Sequence, residues 1–238
     1  YPNNGKSPID LHLFPSCIFV ADMIYNPAKT ALMLQAEKLG IPAAGGLLML
    51  VEQARSASEL FTGRSLHKDI SFEIADRIKK EASNIILIGM PGCGKTAIAR
   101  QLSDLTGRRS IDIDEEIEKI ERKNITEIFS VRGECYFREV ETQLLSKYCK
   151  ERGLVIATGG GVVTVPQNKD VIRQNATVIF IERDLRELSL SGRPLSLAKG
   201  VGRIYEERES LYREWSDISV ENVGSFETAL KILEVLEL

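Results

Sequence analysis

One segment constrains the fold of this chain more than any other. Residues Gly89–Thr96, which read GMPGCGKT, fit the pattern G-x-x-x-x-G-K-[ST] at every fixed position. The segment follows Ile85–Ile88, an apolar run typical of a strand buried on both faces, and precedes an amphipathic helical pattern at Thr96–Leu105. In this context glycines let several backbone N–H groups converge on phosphate oxygens at a helix N-terminus. The sequence therefore predicts a loop that binds ATP or GTP. The alternative is a glycine-rich turn that only joins strand to helix.

Apolar strand patterns alternate with helical patterns through the rest of the chain. The predicted strands are Ile85–Ile88, Ser110–Ile113, Leu154–Ala157, Thr177–Ile181 and Ile218–Val220. Alternation of this kind is typical of an α/β fold in which a parallel sheet has helices on both faces. We therefore predict a five-stranded parallel sheet with the phosphate loop at the carboxyl end of its first strand.

Composition excludes several classes of partner. The 238 residues carry a net charge of only −3, so neither a nucleic-acid nor an acidic-membrane partner is expected. No run reaches about 18 consecutive apolar residues, the length that a membrane-spanning helix needs. The four cysteines (Cys17, Cys93, Cys135 and Cys149) form no CxxC pair, which favours reduced thiols in a cytoplasmic protein.

Residues 1–80 differ in character from the remainder. They contain one strand pattern, at Cys17–Ala21. Three helical patterns follow it: the first begins after Pro27, the second spans about 46–61, and the third includes Ile70–Ile78. One strand and three helices are too few for an independent α/β domain with both sheet faces covered. We expect a fragment at 1–80 and a complete domain at 81–238.

Two aspartates at the end of the second predicted strand are candidates for ligand binding. Asp112 and Asp114 are two positions apart, so on a strand both point to one face. Ligands of α/β sheets gather at the carboxyl ends of strands. One carboxylate could reach a metal beside Thr96 while the other accepts a hydroxyl proton. Alternatively, the aspartates cap the helix that follows.

Arginines and glycines supply further candidates. Arg138 and Glu141 share one helix face, either as a surface ion pair or as a carboxylate-gripping arginine that Glu141 orients. Gly159–Gly161 follow a strand, where a ligand can approach backbone amides closely. Arg193 lies where a lid would be, and Arg208 and Arg213 flank a tyrosine further on. Scattered arginines usually form a solvated face, but phosphoryl transfer needs cations for charge neutralisation.

Taken together, these motifs resemble the shikimate kinase family, in the nucleoside-monophosphate-kinase-like branch of P-loop folds. The resemblance covers about residues 84–238 and rests, in order, on GMPGCGKT, DID, FREVE, ATGGG, GRPL and ERESLYR. It implies transfer of the γ-phosphoryl group of MgATP to the 3-hydroxyl of shikimate. A gluconate kinase of the same fold shares only the phosphate loop, and a non-catalytic interaction module is the alternative of another class.

The resemblance also implies roles residue by residue. The implied ATP-binding set is Gly89, Gly92, Cys93, Gly94, Lys95, Thr96 and Arg193. The implied shikimate-binding set is Asp114, Arg138, Gly159, Gly160, Gly161 and Arg208. Thr96 and Asp112 are implied near Mg²⁺, and the implied catalytic groups are Lys95, Asp114 and Arg193. The chain departs from the pattern between Glu182 and Arg193, where we find no counterpart of an adenine-contacting arginine.

Residues 1–80 resemble the C-terminal part of the shikimate dehydrogenase family, with a partial Rossmann-type fold. The matching text is YPNN, ADMIYNPAKTALMLQAEKLG, GGLLMLVEQA and ELFTG, and the resemblance implies substrate contacts for Tyr25 and Gln53. No G-x-G-x-x-G loop lies in residues 1–80, so we expect no dehydrogenase activity. We expect either a piece of a bifunctional dehydrogenase–kinase chain or a truncated gene. We also expect a monomeric kinase domain, with association only through this fragment.

Overall fold

The computed structural model describes residues 6–188 and 200–238. Its backbone forms two compact units, Tyr1–Ala82 and Ser83–Leu238. Each unit has its own sheet and its own buried core. None of the helices in the described ranges has the length and apolar character of a membrane span.

The larger unit is a five-stranded parallel sheet with the order β4-β5-β3-β6-β7. The strands are β3 (Asn84–Ile88), β4 (Ser110–Asp112), β5 (Val155–Ala157), β6 (Ala176–Glu182) and β7 (Ile218–Glu221). The helices in its described ranges are α4 (Lys95–Thr106), α5 (Ile113–Glu121), α6 (Ile125–Tyr148), α7 (Gln167–Arg173), α8 (Val201–Trp215) and α9 (Ser225–Leu236). The predicted α/β fold with a parallel five-stranded sheet is confirmed.

The central strand β3 shows no alternation of apolar and polar residues because both of its faces are buried. All of its residues, from Asn84 to Ile88, are buried, since helices cover both faces of the sheet. The polar Asn84 is satisfied there, because it donates to the Glu151 carbonyl and accepts from the Leu154 amide. This packing places the phosphate loop at the carboxyl edge of a rigid strand.

The prediction that Asp112 and Asp114 lie on one strand was wrong. Strand β4 ends at Asp112, whose side chain accepts the backbone N–H groups of Asp114 and Glu115 and so caps α5. Asp114 therefore lies in the first turn of a helix. Capping is therefore correct for Asp112 alone, and it does not exclude ligand binding, because the other carboxylate oxygen of Asp112 lies beside Thr96.

Helix α6 begins at Ile125, well before Arg138 and Glu141, the two residues that the sequence placed on one helix face. Asn124 and Glu127 form a reciprocal capping box at its start. Gly133, with φ 80°, interrupts the helical geometry and kinks the helix. This interruption divides the helix into two parts, and Arg138 and Glu141 lie in the second.

From residue 6 onward, where its description begins, the smaller unit contains two short parallel strands and three α-helices. They are β1 (Val20–Ala21), α1 (Ala31–Lys38), β2 (Ala43–Ala44), α2 (Leu47–Thr62) and α3 (Asp69–Ala82), after a 3₁₀ helix at Leu11–Leu13. Only one strand was predicted here, because the two alanines of β2 have weak strand propensity. The buried apolar cluster consists of Leu11, Val20 and Ala36. This core is small beside that of the larger unit.

Candidate functional site

A cavity of about 350 Å³ opens at the carboxyl edge of the five-stranded sheet. Residues that the sequence singled out line it from several elements: Gly92, Gly94, Lys95, Thr96, Asp112, Asp114, Arg138, Gly159, Gly160, Gly161 and Arg208. Gly89 and Cys93 are not part of this lining and instead shape the phosphate loop. Arg193 lies outside the described residues. The topology thus brings the phosphate loop and the other candidates into one space.

The phosphate loop ends in the N-terminus of α4. Gly92 and Gly94 have φ values of 85° and 99°, a left-handed conformation that glycine adopts readily. The first N–H groups of a helix have no intrahelical acceptor, and the helix dipole favours an anion beside them. The loop therefore offers a phosphate site of the kind that the motif predicts.

Lys95 is buried within the loop. Its Nζ donates to the carbonyl oxygens of Gly89 and Met90, at 2.9 Å each. The ammonium group is held at the cavity wall by the loop itself. Because these bonds are to neutral carbonyls, an incoming phosphate is a stronger partner for the charge.

Thr96 and Asp112 place two oxygen atoms side by side at the loop. Thr96 Oγ1 lies 2.5 Å from Asp112 Oδ2, while the other carboxylate oxygen of Asp112 caps α5. A hydroxyl and one carboxylate suit Mg²⁺, which usually takes few protein oxygens and completes its shell with phosphates and water. Across the described ranges, no group of three or more His, Cys, Asp or Glu residues forms an all-protein metal site.

Arg138 and Glu141 form an ion pair that is buried, not at the surface. Glu141 is fully buried and its Oε2 accepts from Arg138 Nη1 at 2.7 Å, while Glu134 accepts from Nη2 at 3.2 Å. Burial raises the pKa of Glu141, and the Arg138 charge opposes that rise. The guanidinium is therefore fixed in orientation by two carboxylates and presented to the cavity.

Asp114 is a buried carboxyl group beside other carboxylates. Burial, with Glu141 and Asp112 nearby, raises its pKa to about 7, against the lowering effect of Lys95 and Arg138. Its Oδ1 is buried and forms no hydrogen bond to the described protein atoms. A carboxyl group that changes charge near neutral pH and has a free oxygen suits proton transfer.

The glycine run at Gly159–Gly161 is required by the charged side chains packed on it. A Cβ at Gly159 would lie 2.5 Å from Glu141 Oε1, and a Cβ at Gly161 would lie 2.0 Å from Arg138 Nη2. The carbonyl of Gly160 accepts from Arg208 Nη1 at 2.9 Å and from the hydroxyl of Tyr212. The run is therefore part of a built wall and not a flexible turn.

The two arginines of α8 have different environments. Arg208 is buried and lines the cavity. Arg213 is half exposed and pairs with Glu182 and Glu209, outside the cavity. The resemblance implied a role for Arg208 alone, and only Arg208 reaches the space that the other candidates line.

Sequence reasoning missed two side chains near the phosphate loop. Arg183 directly follows β6 and lines both this cavity and a second one of about 630 Å³. Asn222 directly follows β7 and lines the second cavity. The signal that could have found both is their position, since each is the first residue after a parallel strand.

Comparison with known proteins identifies the family. The family model described as shikimate kinase matches residues 91–237. The chain belongs to the shikimate kinase family. The predicted kinase assignment is therefore confirmed at the level of the family.

Individual relatives of the family agree in sequence and in fold. A shikimate kinase of Clostridium beijerinckii is 38% identical over 168 residues, covering 66% of this chain and 98% of the relative. One of Prochlorococcus marinus is 39% identical over 166 residues, covering 65% of this chain and 83% of the relative. The structure of the Acinetobacter baumannii shikimate kinase in complex with shikimate is 31% identical, has a TM-score of 0.63, and covers 68% of this chain and 97% of that one.

Proposed function

We propose that this chain transfers the γ-phosphoryl group of ATP to the 3-hydroxyl of shikimate, giving shikimate 3-phosphate and ADP. The observation that carries the proposal is one cavity in which the N-terminus of α4 with Lys95, the arginines Arg138 and Arg208, and the carboxyl group of Asp114 all meet. Arg138 and Arg208 suit the carboxylate of a small acid, and Asp114 suits one of its hydroxyls. Family membership and the relative with bound shikimate support this choice of acceptor.

The reaction is an in-line displacement. The hydroxyl oxygen of the acceptor attacks the γ-phosphorus, the bond to the bridging oxygen of ADP breaks, and the hydroxyl proton passes to Asp114. Catalysis comes mainly from positioning and from charge stabilisation. Lys95 leaves the carbonyls of Gly89 and Met90 to neutralise the transferring group, and Arg193 is proposed from the resemblance to assist it.

We propose that Mg²⁺ binds with ATP beside Thr96 and Asp112. The hydroxyl and the carboxylate, 2.5 Å apart, are hard oxygen donors at the mouth of the phosphate loop. The ion would supply positive charge beside the phosphates of ATP. The capping bonds of Asp112 to α5 keep its second oxygen directed at Thr96.

For residues 1–80 we propose a segment that resembles the C-terminal part of a shikimate dehydrogenase-like domain and has no part in phosphoryl transfer. Tyr25 and Gln53, the residues that the resemblance links to substrate, are both exposed. The region has no dinucleotide loop in its sequence. We propose that this fragment promotes association through its exposed apolar side chains.

A coupled assay of ADP release tests the proposed reaction. The enzyme is given MgATP with shikimate, with gluconate or with no acceptor. We expect release that depends on shikimate and that stops when the metal is chelated. Equal release with gluconate would favour a kinase of another specificity, and no release with any acceptor would favour the interaction-module alternative.

A further inference from the structure

Asn222 connects the end of β7 to the phosphate loop. Its Nδ2 donates to the carbonyl oxygen of Cys93 at 2.6 Å, although the two residues are 129 positions apart in sequence. Its Oδ1 accepts from the backbone N–H of Gly224 at 3.1 Å and from Thr228 Oγ1 at 3.2 Å. The side chain is buried. These three partners belong to two separate segments of the chain.

The orientation of the Asn222 amide is fixed by its partners. A backbone N–H can only donate, so the Gly224 contact identifies the amide oxygen. A carbonyl can only accept, so the Cys93 contact identifies the amide nitrogen. The backbone of Asn222 is itself anchored, because its N–H donates to the Glu182 carbonyl at 2.8 Å. The donor that faces the phosphate loop thus extends from the rigid sheet.

The contact with Cys93 controls the next amide of the loop. The carbonyl of Cys93 and the N–H of Gly94 belong to one planar trans peptide unit, in which they point in opposite directions. Holding the carbonyl on Asn222 therefore directs the Gly94 N–H away from Asn222. Gly94 precedes α4, where unpaired N–H groups meet a phosphate.

Close packing reinforces this arrangement. A Cβ at position 94 would lie 2.4 Å from Asn222 Nδ2, so only glycine leaves room for the asparagine. Asn222, Gly224 and Gly94 also line the second cavity, of about 630 Å³, beside the phosphate loop. The Asn222 side chain thus lies in the wall of that cavity and also contacts the Cys93–Gly94 peptide of the phosphate loop.

We propose that Asn222 is a positioning residue that holds the Cys93–Gly94 peptide in the phosphate-binding orientation. The inference rests on the proposed use of ATP by this chain. Asn222 acts through the Gly94 N–H and touches none of the reacting atoms. Its contribution is to the affinity for the polyphosphate chain, independent of the base.

The test compares Asn222→Asp with a matched control. The aspartate keeps the shape and the acceptor contacts of asparagine but presents an oxygen to the Cys93 carbonyl in place of a donor. Asn175→Asp is the control, because Asn175 donates to the carbonyl of another cysteine, Cys149, at the amino end of β6. Calorimetry measures the affinity of the full chain for ATP, inorganic tripolyphosphate and shikimate.

We expect N222D to weaken ATP and tripolyphosphate binding by about the same factor, roughly tenfold, because a favourable hydrogen bond is replaced by two facing acceptors. Shikimate binding should stay unchanged in N222D, which also shows that the variant is folded. N175D should leave all three affinities unchanged. A second variant, Thr228→Val, removes one of the bonds that fix the amide and should weaken ATP and tripolyphosphate in the same direction by a smaller factor.

Two results would overturn the inference alone. The first is normal ATP binding by N222D. The second is a loss confined to ATP with tripolyphosphate unaffected, which would make Asn222 a contact of the base. If the unaltered chain bound no ATP, the proposed function would fall, and this inference with it.

Discussion

At the residue scale, the environment of Asp114, the proposed proton acceptor, makes the stability of the fold depend on pH. Burial and the neighbouring carboxylates raise its pKa from 3.8 to about 7, so the folded protein favours the protonated form. The unfolded chain releases this proton at a lower pH. The folded state therefore binds more protons between the two pKa values, and the free energy of unfolding falls as pH rises through that window. Well above pH 7 Asp114 is ionised in both states, and its destabilising effect on the fold no longer increases with pH.

Asp114→Asn should remove this pH-dependent penalty. Relative to the unaltered protein, the free energy of unfolding of the variant should rise by about 2 to 3 kcal/mol between pH 5 and pH 8. Urea denaturation of the ligand-free protein at several pH values measures the difference. Asp104→Asn, at an exposed position of the same domain, controls for the loss of one carboxylate. A variant that tracks the unaltered protein at every pH would show that Asp114 is not held protonated.

Arg138→Ala should mainly harm use of the acceptor. The change removes a guanidinium that Glu141 and Glu134 orient into the cavity, so we expect the KM for shikimate to rise by about tenfold or more, with a much smaller change for ATP. Glu141 would also be left buried without its partner, which lowers the thermal stability. Two-substrate steady-state kinetics separates the KM values. Arg213→Ala, at a half-exposed position, is the control, and an unaltered shikimate KM in R138A would refute the clamp.

At the element scale, the sequence predicted those features that depend on local patterns. The five strands and the helix after the phosphate loop were found because buried β-branched runs and helical spacing are local signals. The kink at Gly133 and the strand at Ala43–Ala44 were missed, since a break in spacing and two alanines carry little signal. Asp114 was placed on a strand because the capping bonds of Asp112 that start the helix cannot be inferred from spacing alone.

The site itself could be predicted only in part, for a similar reason. The motifs named the candidates, but burial decides their chemistry, and burial comes from tertiary packing. From sequence spacing alone, Glu141 could equally belong to a surface ion pair, whereas in the fold its side chain is completely buried. Asn222 belongs to no motif, and it contacts Cys93, a residue 129 positions away in sequence. Local sequence patterns do not reveal contacts between residues that are distant in sequence.

Gly161→Ala should disturb the wall formed by the glycine run. The added Cβ would lie 2.0 Å from Arg138 Nη2, so the guanidinium must move out of its position. We expect a higher KM for shikimate, with the KM for ATP nearly unchanged, in the same kinetic assay. Gly202→Ala in α8 is the matched control, because its Cβ would meet nothing within 4 Å. Alanine there should leave both KM values unchanged, and an unchanged shikimate KM in G161A would show that Arg138 has no role in acceptor binding.

At the scale of the whole molecule, the two units differ in how much apolar surface they bury. The larger unit has an extensive core on both faces of its sheet. The smaller unit buries few apolar residues, while Ile18, Leu60 and Phe61 are each at least 85% exposed. Large exposed apolar side chains favour association. All described candidate residues of the kinase site lie in the larger unit.

Removal of residues 1–82 should therefore leave phosphoryl transfer intact and reduce association. The remaining chain keeps the complete five-stranded sheet and the cavity, so its kcat and both KM values should match those of the full chain in the ADP-release assay. Size-exclusion chromatography over a range of concentrations should show association of the full chain but a constant monomer for residues 83–238. The full-length variant Leu60→Ser/Phe61→Ser separates the apolar surface from the rest of the fragment and should shift towards the monomer. If the shortened chain folded but lost shikimate-dependent turnover, the smaller unit would have a part in catalysis that the kinase cavity alone does not explain.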